Sequence, residues 1–105
     1  MTCKVKSSYS NPYYLYVVRT KDNYLYTGIT TNIKRRFGEH LSTTKRRAKF
    51  FHSHPPLRVE FSVKIGNRSL AQKVEYHFKR LSRSKKNSVI SSGYLPFDLK
   101  SGKIL

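Results

Sequence analysis

From Leu57 to Ile65 the chain alternates: Leu57, Val59, Phe61, Val63 and Ile65 are apolar, while Arg58, Glu60, Ser62 and Lys64 are polar. A period of two is the spacing of a strand with one face on a core and one in water, so the chain is committed to a sheet. Gly66-Asn67 breaks the run. Earlier, Tyr13 to Arg19 is aromatic and β-branched and reads as a strand; Thr20-Lys21-Asp22-Asn23 has turn chemistry, and Tyr24 to Ile29 reads as the returning strand of a hairpin. Gly28, near the end of that strand, marks a backbone that something must approach closely.

Helices fill the intervals. Thr31 or Asn32 can cap a first one, in which Ile33, Phe37 and Leu41 form an apolar stripe at i, i+4 and i+8. Arg36 and His40 fall one turn apart on a neighbouring face, and Lys34 and Arg35 point elsewhere. Residues 42–56 read as a basic loop. Ser69 and Gln72 fit a capping box for a second helix whose buried stripe is Leu70, Val74, Phe78 (or His77) and Leu81, with Glu75 beside it. A short third helix is expected from about Lys85 to Ser92, with Ser84 as cap and Gly93 as stop. The order β-β-α-β-α-α predicts a small α+β unit, an antiparallel sheet of about three strands flanked by helices. Residues 1–12 are expected to be disordered, 13–92 to form the folded unit, and 93–105 to be a tail in which Phe97 and Leu99 dock.

A chain of 105 residues suits one domain with a thin core, since its hydrophobic fraction is 37% and much of that is 8 Tyr and 6 Phe. Its net charge of +17 is extreme, and such a chain repels itself unless it meets a polyanion. Nucleic acid is the first expectation, DNA ahead of RNA, and an anionic membrane surface the second. No apolar run is long enough to span a bilayer, and MTCKVKSSYS has no apolar stretch of signal-peptide type, so an intracellular protein is expected. Cys3 stands alone, which rules out an internal disulfide or a multi-cysteine zinc site. His52 and His54, with no Cys nearby, read as loop residues rather than zinc ligands.

The chemistry is concentrated. Tyr16, Tyr26, Arg36 and His40 fall within one strand–turn–strand–helix stretch. Of the five acids, Glu75 alone flanks a helix stripe at the edge of the core, whereas Asp22 belongs to a turn, Glu39 sits among cations, Glu60 lies on a polar strand face and Asp98 lies in the tail. One carboxylate can hold a hydrated Mg²⁺ when substrate phosphate completes the shell. An Arg fork matches two phosphate oxygens, and a phenol can act as a base if neighbouring charge lowers its pKa from about 10. These residue types suit phosphodiester hydrolysis. The basic residues Lys34, Arg35, Lys45, Arg46, Arg47, Lys49, Lys79, Arg80, Lys85 and Lys86 are candidate contacts to a nucleic-acid backbone. Phe50, Phe51 and Tyr76 could stack on exposed bases or fill the core.

In this pattern the chain resembles the GIY-YIG nuclease superfamily, over about residues 13–90, and is most similar to its short stand-alone branch. Tyr14-Leu15-Tyr16 stands where the first triplet stands and Tyr26-Thr27-Gly28 where the second stands. Arg36 matches the family's Arg, His40 its Tyr-or-His position, Glu75 its metal-binding Glu, and Asn87 a later polar residue of some members. The first triplet departs from the pattern in lacking Gly and Ile. Thr27 replaces Ile, and Ile29 stands where the excision-repair members carry Lys. The resemblance implies a metal-dependent endonuclease cutting DNA, with branched or nicked forms as candidate substrates and one Mg²⁺ or Mn²⁺ ion. In it Tyr26 is the general base, Tyr16 assists it or orients the water, Arg36 holds the phosphate, His40 relays a proton or binds phosphate, and Glu75 holds the metal. The rivals are an inactive DNA- or RNA-binding protein of the same fold and a ribonuclease.

Overall fold

The structure, a computed structural model, describes residues 11–42 and 46–96. The expected features at Cys3, Lys45, Phe97, Asp98 and Leu99 lie outside that range. The elements run β1 (Tyr13–Thr20), β2 (Leu25–Thr30), α1 (Ile33–Leu41), α2 (Phe50–Ser53), β3 (Pro56–Gly66), α3 (Arg68–Lys79) and α4 (Arg83–Ser92). The three strands form one antiparallel sheet in the order β2-β1-β3. The α+β class and the hairpin hold; α2 is an additional helical turn inside the basic segment read as loop.

β1 is central and buried on both faces. Leu15 and Val17 pack with Phe61, Val74, Phe78 and Val89, under α3 and α4. Tyr16 and Val18 face the other way and pack with Phe51, Tyr26, Ile33, Phe37 and Val59, under α1 and α2. A strand buried on both sides needs the continuous apolar run Leu15-Tyr16-Val17-Val18 rather than alternation.

The alternating run behaves differently from expectation. Val17 pairs with Phe61 but Val18 pairs with Val59, and Arg19 pairs with Arg58 but Thr20 with Pro56, so Glu60 and Leu57 are extra residues in β3. Each such bulge shifts the face that later side chains occupy. Phe61 and Val63 therefore join the α3 side, Val59 joins the α1 side, and Leu57 is 43% exposed.

Asn32 caps α1, accepting the Arg35 N–H at 3.0 Å. The capping box at Ser69 and Gln72 is not used: Asn67 caps α3, accepting from the Leu70 N–H at 2.9 Å, and Ser69 lies within the helix. Ser82 rather than Ser84 caps α4, which starts at Arg83, and Gly93 closes it at φ 81 as expected. In both cases the better-placed acceptor lies two residues earlier and already has extended backbone. On α1, Leu41 is 54% exposed and His40 is the buried member of the helix, a correction to the expected Ile33–Phe37–Leu41 stripe.

Candidate active site

Tyr16 sits opposite Gly28 in the β1–β2 ladder, and Val18 sits opposite Tyr26. Tyr16 and Tyr26 are therefore diagonal neighbours on one face, with ring centroids 6.3 Å apart. The Tyr16 ring lies across Gly28: a Cβ there would stand 2.6 Å from the Tyr16 hydroxyl and 2.8 Å from Cζ. The close approach expected at Gly28 is thus that of Tyr16 itself.

The hydroxyl ends on α1, where His40 Nε2 lies 2.8 Å from it. His40 has no exposed surface. Its Nδ1 accepts a long hydrogen bond of 3.5 Å from the Ala48 N–H, and its carbonyl accepts one of 2.9 Å from Arg47 Nε. Burial, with Arg36 next in weight, pushes the imidazole down to about 4, so it is neutral at pH 7. With Nδ1 accepting, the remaining proton belongs on Nε2, which donates to the Tyr16 oxygen. The Tyr16 O–H proton is then directed elsewhere. Burial also raises the Tyr16 phenol well above its ordinary value, helped by Tyr26 and Glu75 and opposed by Arg36. Tyr16 is accordingly a protonated donor, not a resting phenolate.

Those same interactions locate the other expected residues. The Arg36 guanidinium favours the charged form of the Tyr16 phenol and the Glu75 carboxylate, on α3, opposes it, both more weakly than burial. Arg36 is further held by Glu39 Oε1 at 2.7 Å and by the Arg46 carbonyl at 2.6 Å. The Glu39 carboxyl stays below its usual range because Arg36 hydrogen-bonds it and Arg35, Arg36 and Arg46 surround it. Beside Arg36 lies an open cleft of about 360 Å³ walled by Tyr13, Ile29, Thr30, Thr31, Arg35, Glu39 and Arg46. Ile29 makes one wall apolar.

Glu75 is partly exposed and pairs with Lys79 at 3.3 Å. Among the described residues no group of three or more His, Cys, Asp or Glu could hold a metal unaided. A lone carboxylate fits a hydrated divalent ion whose shell is completed by substrate phosphate, and does not fit an all-protein cage.

Residues 12–87 match the family described as the GIY-YIG catalytic domain. The chain belongs to the GIY-YIG family. Within it, a UPF0213 protein of Citrobacter koseri is 44% identical over 82 residues, 78% of this chain and 80% of that protein. The UPF0213 protein YhbQ of Escherichia coli is 43% identical over 82 residues, again 78% of this chain and 80% of the relative. A UPF0213 protein of Bacillus halodurans, solved in solution by NMR, aligns with a TM-score of 0.50 at 29% identity, covering 85% of this chain and 93% of that one. The GIY-YIG match spans both triplets and the α1 and α3 helices, so every residue named above for the site falls inside it.

Around this GIY-YIG site the basic residues divide into two groups. Lys34, Arg35, Arg46, Lys49, Lys79, Arg80 and Lys85 are exposed. Arg47 donates to the His40 carbonyl and Lys79 pairs with Glu75. Lys86 is half-buried, and burial with Arg83 and Lys79 nearby lowers its pKa. Of the possible stacking aromatics, Phe51 is fully buried against His40 and Tyr26, whereas Tyr76 is 58% exposed under the Arg80 guanidinium. Sequence reasoning missed Glu39 as the anchor of Arg36, although its i, i+3 spacing was visible. It also missed Asp22 as the partner of His54, 2.7 Å away, which no local spacing could reveal. No helix among the described residues is long and apolar enough to cross a membrane.

Proposed function

We propose that the protein is a metal-dependent endonuclease hydrolysing phosphodiester bonds of DNA. The observation that carries this reading is the gathering of Tyr26 and His40 about one buried phenol, Tyr16, beside an open cationic cleft that Arg36 lines, in a chain whose α3 carries Glu75. Tyr26, half-exposed at the edge strand, takes the proton of the attacking water as its own O–H proton passes to solvent, directly or through a neighbouring group. Tyr16, kept protonated by burial and closed to solvent, assists Tyr26 from beneath. His40 has no surface of its own for a phosphate, so it is a positioning residue: its Nε2–H fixes the Tyr16 oxygen. Arg36, pre-set by Glu39 and the Arg46 carbonyl, presents its fork to the scissile phosphate. Glu75 would hold one Mg²⁺ or Mn²⁺ ion, which when bound neutralises charge developing at the phosphate. For this Lys79 must release the carboxylate, and an arriving phosphate is a competing partner for that ammonium. Lys34, Arg35, Arg46, Lys49, Arg80 and Lys85 follow the backbone on either side.

The rival is a protein that binds nucleic acid without cutting it, and the observation in its favour is the Glu75–Lys79 ion pair, which gives Glu75 a purely structural use. Incubation of plasmid and branched DNA with Mg²⁺ or Mn²⁺, wild type beside Glu75→Ala and Arg36→Ala, separates the two. Cleavage that falls about 100-fold or more in both variants while DNA binding persists is expected for the nuclease. Salt-sensitive binding with no cleavage in any metal belongs to the rival.

A further inference from the structure

At the hairpin turn, bordering Tyr26, three rings cluster. His54 lies 4.3 Å from Tyr24 and 4.6 Å from Phe50 between ring centroids, and Phe50 lies 5.7 Å from Tyr26. The cluster is built rather than loose. Asp22 Oδ2 holds His54 Nδ1 at 2.7 Å, Asp22 itself accepts from Thr20 Oγ1 at 2.6 Å, and the Lys21 N–H donates to the Pro55 carbonyl at 2.9 Å. On this scaffold Tyr24 is 50% exposed. Lys21, in the same turn, and Lys49, next to Phe50 in the chain, are both exposed.

We propose that Tyr24, backed by His54 and Phe50, is a stacking platform for an unpaired nucleobase adjoining the phosphate held at the Tyr16–Tyr26 site. A half-exposed ring on a chain of net charge +17 suits a base on a polyanionic strand, and every base offers a π-face. Within a duplex both faces of a base are covered by its neighbours, so the platform selects bases that are unstacked. Tyr24 precedes Tyr26 by two residues, about 7 Å of extended chain. That is the reach of a single nucleotide in an unstacked strand. The substrate class follows: a phosphodiester next to a single-stranded, flapped or gapped position. The placement relative to the cut rests on the nuclease reading above, whereas the binding of an unpaired base does not.

The test measures equilibrium binding by the full chain, with chelator present so that nothing is cut. The probes are a short single-stranded DNA carrying one 2-aminopurine, an RNA of the same sequence, and the blunt DNA duplex. Tyr24→Leu keeps apolar bulk and removes the ring; Tyr24→Phe keeps the ring. Expected is a loss of about tenfold in single-strand affinity for Tyr24→Leu, duplex affinity within about twofold, near-wild-type behaviour of Tyr24→Phe, and quenching of 2-aminopurine that disappears in Tyr24→Leu alone. Dependence on Tyr24 with both strands assigns the platform to bases of either sugar, and dependence with DNA alone assigns it to DNA. Equal losses on strand and duplex, or no loss on either, overturn the proposal. Binding as expected by a protein that never cuts would sink the nuclease reading and leave the platform standing, while cutting with single-strand binding indifferent to Tyr24 would do the reverse.

Discussion

Leu15 and Val17 on one face of β1 meet Val74, Phe78 and Val89, and that layer is hydrocarbon throughout. Tyr16 and Val18, one residue out of step, meet Phe51, Tyr26 and His40, a layer of rings carrying two phenols and an imidazole. The first face holds the sheet to α3 and α4 by burial of apolar surface. The second face is equally closed to solvent at Tyr16 and His40, yet its polar atoms need partners, and each finds one: Tyr16 with His40, His40 with Ala48, and the His40 carbonyl with Arg47. One strand thus serves as core and as site base at once, because alternate side chains answer to different chemistry.

Truncation separates the two faces most sharply. Phe78→Ala empties the hydrocarbon layer at a fully buried position and is expected to cost about 3–5 kcal/mol, a large part of what a small domain has in total. Chemical denaturation would read this as a lower midpoint, with every activity lost together. A midpoint moved by only a few tenths of a kcal/mol would show that α3 does not carry the fold. Gly28→Ala should break the other face selectively. The new methyl would overlap a Tyr16 phenol that is 1% exposed and cannot swing aside. Displacing that oxygen by about 1 Å is expected to lower cleavage roughly 100-fold, with circular dichroism and single-strand binding close to wild type. Full cleavage by Gly28→Ala would mean that the position of the Tyr16 oxygen does not matter to the chemistry.

The pH dependence of stability sharpens the same contrast, because the hydrocarbon face does not titrate. His40 is held at about 4 when folded, against an unperturbed value of 6.5. The unfolded chain therefore takes up this proton first. Stability from keeping His40 neutral is fully present above about pH 6.5 and declines as pH falls from there toward 4, by an order of 1–3 kcal/mol. Urea midpoints from pH 7 to pH 4 should fall for wild type. A His40→Asn variant, whose amide does not titrate, should fall less over that window. Parallel curves for the two proteins would remove His40 as the source.

Much of this was legible beforehand, and the exceptions have physical reasons. The hairpin, the Asn32 cap and the Gly93 stop are local events set by neighbouring residues, and they appear where the pattern puts them. His40 was read as lying outside the stripe because hydrophobicity alone ranks Leu41 above it. The buried place goes to His40 because Tyr16 and the Ala48 N–H, 24 and 8 residues away, satisfy its ring. α2 is four residues long, too short for any period to show. The cap of α3 fell to Asn67 because the strand ends there in extended backbone, a fact the S-x-x-Q spacing does not contain. The nucleophilic chemistry was visible as residue types, whereas the route by which Arg36 is held, through Glu39 and a carbonyl from the α1–α2 connection, was not.

The alternating run offers the smallest and most discriminating test. Leu57 and Phe61 are equivalent by period, both apolar and four residues apart on one nominal face. The bulges at Glu60 and Leu57 separate them, leaving Phe61 9% exposed in the hydrocarbon layer and Leu57 43% exposed. Replacing Leu57 by Thr removes little buried surface and keeps β-branched character on a strand, so its effect should stay within about 0.5 kcal/mol in denaturant midpoint. Were the strand in unbroken register, Leu57 would share the burial of Phe61 and the same change would cost about 2 kcal/mol or more. A near-neutral Leu57→Thr therefore supports the bulged register, and with it the switch that places Val59 against the phenol side and Phe61 against α3.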